Sequence, residues 1–192
     1  NVTCWGDDRG NACSPPPLPP GMAYWRVAAG WTTSAALRSD GALVMWGTGP
    51  AVQSAPATGA LRWVDVALSS THVVALRSDG IAAAWGANTI GQGNIPALPP
   101  GLRYVEVDAS DYHTALLRSD GMILSLGYAA TGLGNVPQAP PGTWFVDVVS
   151  STFHAAALLS DGNVVVWGST SGSYWVPVPA LPPGVAYVEI AG

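Results

Sequence analysis

The sequence predicts an all-β fold, a β-propeller assembled from antiparallel blades with a repeat of about 41 residues. Three observations predict it. The tetrad Arg38-Ser39-Asp40-Gly41 returns as Arg77-Ser78-Asp79-Gly80, as Arg118-Ser119-Asp120-Gly121 and, without its arginine, as Leu159-Ser160-Asp161-Gly162. Beyond each aspartate, at a fixed offset, stand Trp46-Gly47, Trp85-Gly86, Leu126-Gly127 and Trp167-Gly168, with Trp5-Gly6 as an orphan copy. Before each tetrad an aromatic residue leads a strand-like segment, centred in turn on Arg26, Asp65, Glu106, Asp147 and Glu189. Three markers that keep one register over four to five copies define a repeat.

Each unit decodes into strands in order. The first is the aromatic segment, such as Trp63-Val64-Asp65-Val66. Its apolar and polar residues alternate, as in a strand with one wet face. A short polar stretch turns the chain into a second apolar run, such as Thr114-Ala115-Leu116-Leu117. The Ser-Asp-Gly turn follows, because Asp bonds its own backbone and Gly takes positive φ. A third run, such as Val164-Val165-Val166-Trp167, ends in glycine. The rest of each unit carries Pro and Gly, as in Leu98-Pro99-Pro100-Gly101, and supplies at most a short edge strand. A β-solenoid is the alternative, but its coils are shorter and lack this meander of hairpins.

Composition agrees with a folded chain. The 23 Gly and 17 Pro are punctuation between short strands, since 48% of the residues are hydrophobic and only 10% are charged. The net charge is −5, with seven Arg and no Lys, so the basic footprint of a nucleic-acid binder is missing. No apolar run reaches the roughly 18 residues of a membrane span. The chain starts without Met or a leader segment, and is read as a processed or excised portion of something longer.

The consensus V-x-V-x-A-(G/S)-x-x-H-T-x-A-L-x-x-D-G-x-(V/L)-x-x-W-G, carried best by Val105 to Gly127, resembles the regulator of chromosome condensation repeat. Trp85-Gly86-Ala87-Asn88 through Gly91-Gln92 matches a second signature of that family. The resemblance covers essentially all of residues 1–192, read as one repeat domain. It implies a seven-bladed ring, which would need roughly 285 residues at this period. About four to five blades are expected here, hence a partial set whose edges need the missing blades or a neighbour.

Few residues suggest chemistry. Cys4 and Cys13 match no common zinc spacing, and a disulfide closing a small loop is the favoured reading over free thiols. Asn1-Val2-Thr3 is a glycosylation sequon, making Asn1 a candidate glycan site. Together they point to an oxidising, extracellular or cell-surface setting. His72, His113 and His154 hold one repeat position, and repeat-equivalent side chains are spread around a ring instead of converging on a metal. They are read as structural. Asp65, Glu106, Asp147 and Glu189 are likewise read as solvated outward positions, and Asp40, Asp79, Asp120 and Asp161, with Gly41, Gly80, Gly121 and Gly162, as turn formers. Among the nine Trp, Trp5, Trp46, Trp85 and Trp167 are expected in the core, and Trp25, Trp63 and Trp144 are expected to pack beside the first strands. Trp31 and Trp175 fall outside the consensus and are the candidates for an exposed contact surface.

No catalytic, cofactor or metal constellation stands out. The function expected is a non-catalytic extracellular module that binds other protein chains or builds a larger surface assembly. The resemblance also implies two alternatives, a propeller-type inhibitor of an enzyme and a guanine-nucleotide exchange factor for a small GTPase. The acidic balance, the cysteine pair and the sequon disfavour the latter.

Overall fold

The computed structural model describes residues 2–8, 10–49, 56, 60–128, 132–169 and 178–191. Among them no helix occurs, and the strands form four three-stranded antiparallel sheets. Blade 1 holds β1 (Tyr24–Ala29), β2 (Thr33–Arg38) and β3 (Leu43–Gly47); blade 2 holds β4 (Trp63–Leu68), β5 (His72–Arg77) and β6 (Ala82–Gly86). Blade 3 holds β7 (Tyr104–Ser110), β8 (His113–Arg118) and β9 (Ile123–Gly127); blade 4 holds β10 (Phe145–Ser150), β11 (His154–Leu159) and β12 (Val164–Gly168). The sheets pack in chain order as blades of a β-propeller, each first strand against the first and middle strands of the blade before it.

The cores lie between sheets. Ala35 and Leu37 of β2 meet Trp63 and Val66 of β4, Val74 and Leu76 of β5 meet Tyr104 and Val107 of β7, and Ala115 and Leu117 of β8 meet Phe145 and Val148 of β10. One aromatic and one valine of each of these first strands close the seam against the aliphatic residues of the middle strand before it.

Within each blade the Ser-Asp-Gly turn joins the second and third strands. In blade 2, Gly80 takes φ 82° and Asp79 Oδ1 accepts the Ile81 N–H at 3.3 Å. Arg77 grips the same carboxylate through Nε (2.9 Å) and Nη2 (2.6 Å). Blade 4 has Leu159 in place of that arginine, and Asn163 Nδ2 supplies the donor to Asp161 Oδ2 instead, at 2.9 Å. Between blades the backbone repeats one bond: the N–H of Trp63, Tyr104, Phe145 and Tyr187 donates to the carbonyl of Gly41, Gly80, Gly121 and Gly162 in turn.

Four expectations are corrected. Trp5 is 86% exposed, not core, because no strand forms at residues 2–8 to bury it. Trp25 and Trp144, at 56% and 55%, are also exposed. The sequence register placed both beside the aromatic position, which Tyr24 and Phe145 fill. Trp85 is half-buried, its ring tilted against that of the buried Trp63 with centroids 6.0 Å apart. Residues 187–191, expected as a first strand, carry the repeat's bonds to blade 4 without forming a strand.

Candidate functional site

The first and second strands of every blade are joined by a short turn, and these four turns line up along one face. They are Gly30-Trp31-Thr32, Ser69-Ser70-Thr71, Ser110-Asp111-Tyr112 and Ser151-Thr152-Phe153. Each is held shut by a backbone bond of one kind, as in Ser69 N to His72 O at 3.0 Å and Ser151 N to His154 O at 2.7 Å. The small first residue suits the tight approach, and the next two positions face outward and vary. Trp31 is 80% exposed, Phe153 55%, and Tyr112 and Tyr128 each 48%, the two tyrosine rings lying 6.4 Å apart. Blades 2 and 3 are cross-tied here: Asp111 Oδ1 accepts the Ser70 N–H at 3.2 Å and the Ser70 hydroxyl at 2.5 Å. Turns from all four blades border a shallow, open hollow of about 250 Å3.

Below the turns sit the repeat histidines. His72 is fully buried, its Nδ1 meeting Ser69 Oγ at 2.8 Å and its Nε2 meeting Thr114 Oγ1 of the next blade at 2.9 Å. Burial pushes its pKa down to about 4, outweighing the charge of Asp111, so the ring is neutral at pH 7. His113 is buried too and shifted down by the same cause, while its Nδ1 has no partner. His154 is half-buried.

The carboxylates of the first strands depart most from expectation. Every first strand carries a β-bulge directly after its aromatic residue, between Trp63 and Asp65 in β4 for example. The bulge turns Val64, Val105 and Val146 outward (36%, 42% and 43% exposed) and swings the following acid inward. Asp65 is 6% exposed, Glu106 and Asp147 are half-buried, and Glu189 alone lies outside as expected. Asp65 Oδ1 pairs with Arg26 Nε at 2.6 Å and also accepts the Val66 N–H at 2.7 Å. Its Oδ2 receives the Val107 N–H of the next blade at 3.4 Å, and Asp147 Oδ2 likewise receives the Ile190 N–H at 3.2 Å. Burial, then the hydrogen bond and charge of Asp147, push Glu106 up to about 9, against the pull of the Val148 N–H. Glu106 is therefore protonated at pH 7. These acids tie one blade to the next, as does Asp108 with the Ser150 hydroxyl at 2.7 Å.

The remaining candidates are scattered. Cys4 and Cys13 are joined by a disulfide in a loop where Asp8 Oδ1 accepts the Cys13 N–H at 2.7 Å. Trp46 and Trp167 are buried and donate Nε1–H to the carbonyls of Ala12 (2.7 Å) and Leu133 (2.9 Å) in the preceding connector. Asn1 and Trp175 lie outside the described residues. Among the described residues no three His, Cys, Asp or Glu side chains converge as a metal site, and no helix is long and apolar enough to cross a membrane.

Residues 145–173, the whole of blade 4, match the Regulator of chromosome condensation (RCC1) repeat. Blade 4 thus carries the RCC1-type repeat, and the other three blades share its three-stranded fold. Yeast RCC1 (Prp20), solved bound to Kap60, superposes with a TM-score of 0.68 at 20% identity, over 85% of this chain and 46% of that one. The ectodomain of the Physcomitrella patens receptor kinase CR4 gives 0.62 at 18% identity, over 78% of this chain and 42% of that one. The CRINKLY ectodomain of the Arabidopsis thaliana receptor kinase ACR4 gives 0.59 at 22%, over 90% and 57%. At these identities the likeness is one of fold, and the chain spans less than two thirds of each relative. No curated protein sequence matches it. Among the described residues, the turn face gathers four exposed aromatic rings, those of Trp31, Tyr112, Tyr128 and Phe153.

Proposed function

We propose that the chain is a non-catalytic protein-interaction module working outside the cell, and that its partner docks on the face of the four turns. The observation that carries this is the exposure of Trp31, Tyr112, Tyr128 and Phe153 together on that face. Large amphipathic rings standing in water are the side chains that dominate binding energy at interfaces. The Prp20 structure with Kap60 supports protein docking as a use of this fold. The disulfide, the sequon at Asn1 and the likeness to two receptor ectodomains support the extracellular setting.

Alanine at Trp31 or Phe153 is expected to weaken partner binding about ten-fold or more, as for hot-spot aromatics. Alanine at Met122, exposed at the opposite end of the sheets, leaves it unchanged. Surface plasmon resonance against a partner captured from the extracellular fraction reads both. Equal effects of Trp31→Ala and Met122→Ala would remove this face from the account. Intact mass checks the compartment, which two free thiols and an unmodified Asn1 would overturn. Loss of turnover in a captured enzyme, or faster nucleotide release from a captured small GTPase, would redirect the reading to an inhibitor or an exchange factor.

A further inference from the structure

The hollow at the centre of the turn face has a chemistry of its own. Five hydroxyl side chains line it, Ser69, Ser70, Ser110, Ser151 and Thr152, drawn from three blades, and Trp31 lines it from a fourth. Asp111 is the single charged group of the lining, and no cationic side chain joins it among the described residues. One serine–histidine pair beside the hollow is unfinished. In blade 2, Ser69 Oγ meets His72 Nδ1 at 2.8 Å, but in blade 3 both Ser110 Oγ and His113 Nδ1 are buried without a partner. Ser110 is only 7% exposed and His113 2%, and of the two only Ser110 lines the hollow, its hydroxyl left without a partner. Buried polar groups are almost always satisfied, and an unsatisfied one needs an explanation.

We propose that this hollow binds a neutral sugar ring. A sugar presents hydroxyls that both donate and accept, and serine and threonine hydroxyls rotate to meet either role. Its C–H face stacks on an exposed indole, which Trp31 offers at 80% exposure. The volume of about 250 Å3 falls just under the range of drug-sized ligand sites and suits a single ring. An anion is disfavoured by the Asp111 carboxylate and the lack of a cation, and an apolar ligand would strand the hydroxyls. The proposal rests on the docking reading and deepens it, since it names what the centre of that face takes.

The test is calorimetric titration of the chain with methyl glycosides and tetrasaccharides of glucose, galactose, mannose and N-acetylglucosamine. At least one is expected to bind, with affinity lowered about ten-fold by Trp31→Ala and about three-fold by Ser110→Ala. Thr152→Ala, at a half-buried rim position, also weakens binding and guards against misfolding of the Ser110 variant. Met122→Ala changes nothing. No binding of any of these sugars up to about 10 mM overturns the proposal, as does binding that Trp31→Ala leaves intact. A partner protein held through Tyr112 and Phe153 and displaced by none of the sugars overturns the sugar site while leaving the docking reading standing.

Discussion

Glu106 shows how one residue position acquires its chemistry from its neighbours. Its counterpart Asp65 has Arg26 beside it, and its charge is balanced at 2.6 Å. Glu106 has Asp147 instead, so burial and a second carboxylate both favour the protonated acid. The unfolded chain releases that proton near its ordinary value of 4.5, whereas the folded chain holds it up to about 9. Between those values the folded state binds more protons, so stability falls as pH rises. His72 acts in the opposite direction and at lower pH. Its folded value of about 4 lies below the unfolded 6.5, so its contribution is lost as pH falls through that window. Glu106→Gln, which mimics the protonated acid, is expected to flatten the decline above pH 7. It should raise stability at pH 7 by about 1–2 kcal/mol, a figure discounted for partial solvent screening. Urea unfolding at pH 6, 7.5 and 9 reads this. A variant whose slope matches the parent's over that range would mean that Glu106 ionises normally.

At the scale of elements, the third strands carry a bond that the repeat pattern alone did not announce. The indoles of Trp46 and Trp167 reach back to carbonyls of the connectors leading into their own blades, fastening the outer strand to the loop. Blade 3 has Leu126 there, and the connector position that would receive an indole is Gln92, buried at 2%, whose Oε1 takes the Ile90 N–H at 3.1 Å. Leucine is thus accommodated where glutamine closes the connector on itself, and Trp167 has no such substitute. Trp167→Leu should cost about 2–4 kcal/mol, combining a smaller apolar side chain with a stranded Leu133 carbonyl. A shift in the denaturant midpoint measures it, and a loss below about 0.5 kcal/mol would mean that the bond is replaced by water. The strands themselves were legible from the alternation and the Ser-Asp-Gly turns. What was not legible was the bulge. Val64-Asp65-Val66 reads as apolar, polar, apolar, which places the acid in water for a regular strand with one wet face. One inserted residue reverses the outward side, and the neighbouring blade covers the other, so Asp65 and Val66 are both buried. No local pattern distinguishes the two cases, because the cause is the neighbouring sheet.

The whole molecule follows from a repeat that buries its apolar surface only against its neighbours. That is why the blades could be counted from the sequence, while the turn face could not: Trp31, Ser70, Ser110 and Thr152 are far apart along the chain and meet only when four blades are stacked. Dependence on neighbours is visible in one side chain carried through the repeat. The valine two residues past the bulge is 3% exposed at Val66, 3% at Val107 and 1% at Val148, yet 59% exposed at Val27. Residue type and strand position are the same, and the difference is the blade packed against it. Val107→Ala should therefore cost about 1–3 kcal/mol, the range for shortening a buried aliphatic side chain. Val27→Ala should cost less than about 0.5 kcal/mol, as at an exposed site. Chemical denaturation at low micromolar concentration compares the two directly. If the Val27 variant instead loses as much as the Val107 variant, and the loss shrinks on dilution, then another copy covers blade 1 in solution, because only a contact set by mass action makes stability depend on concentration.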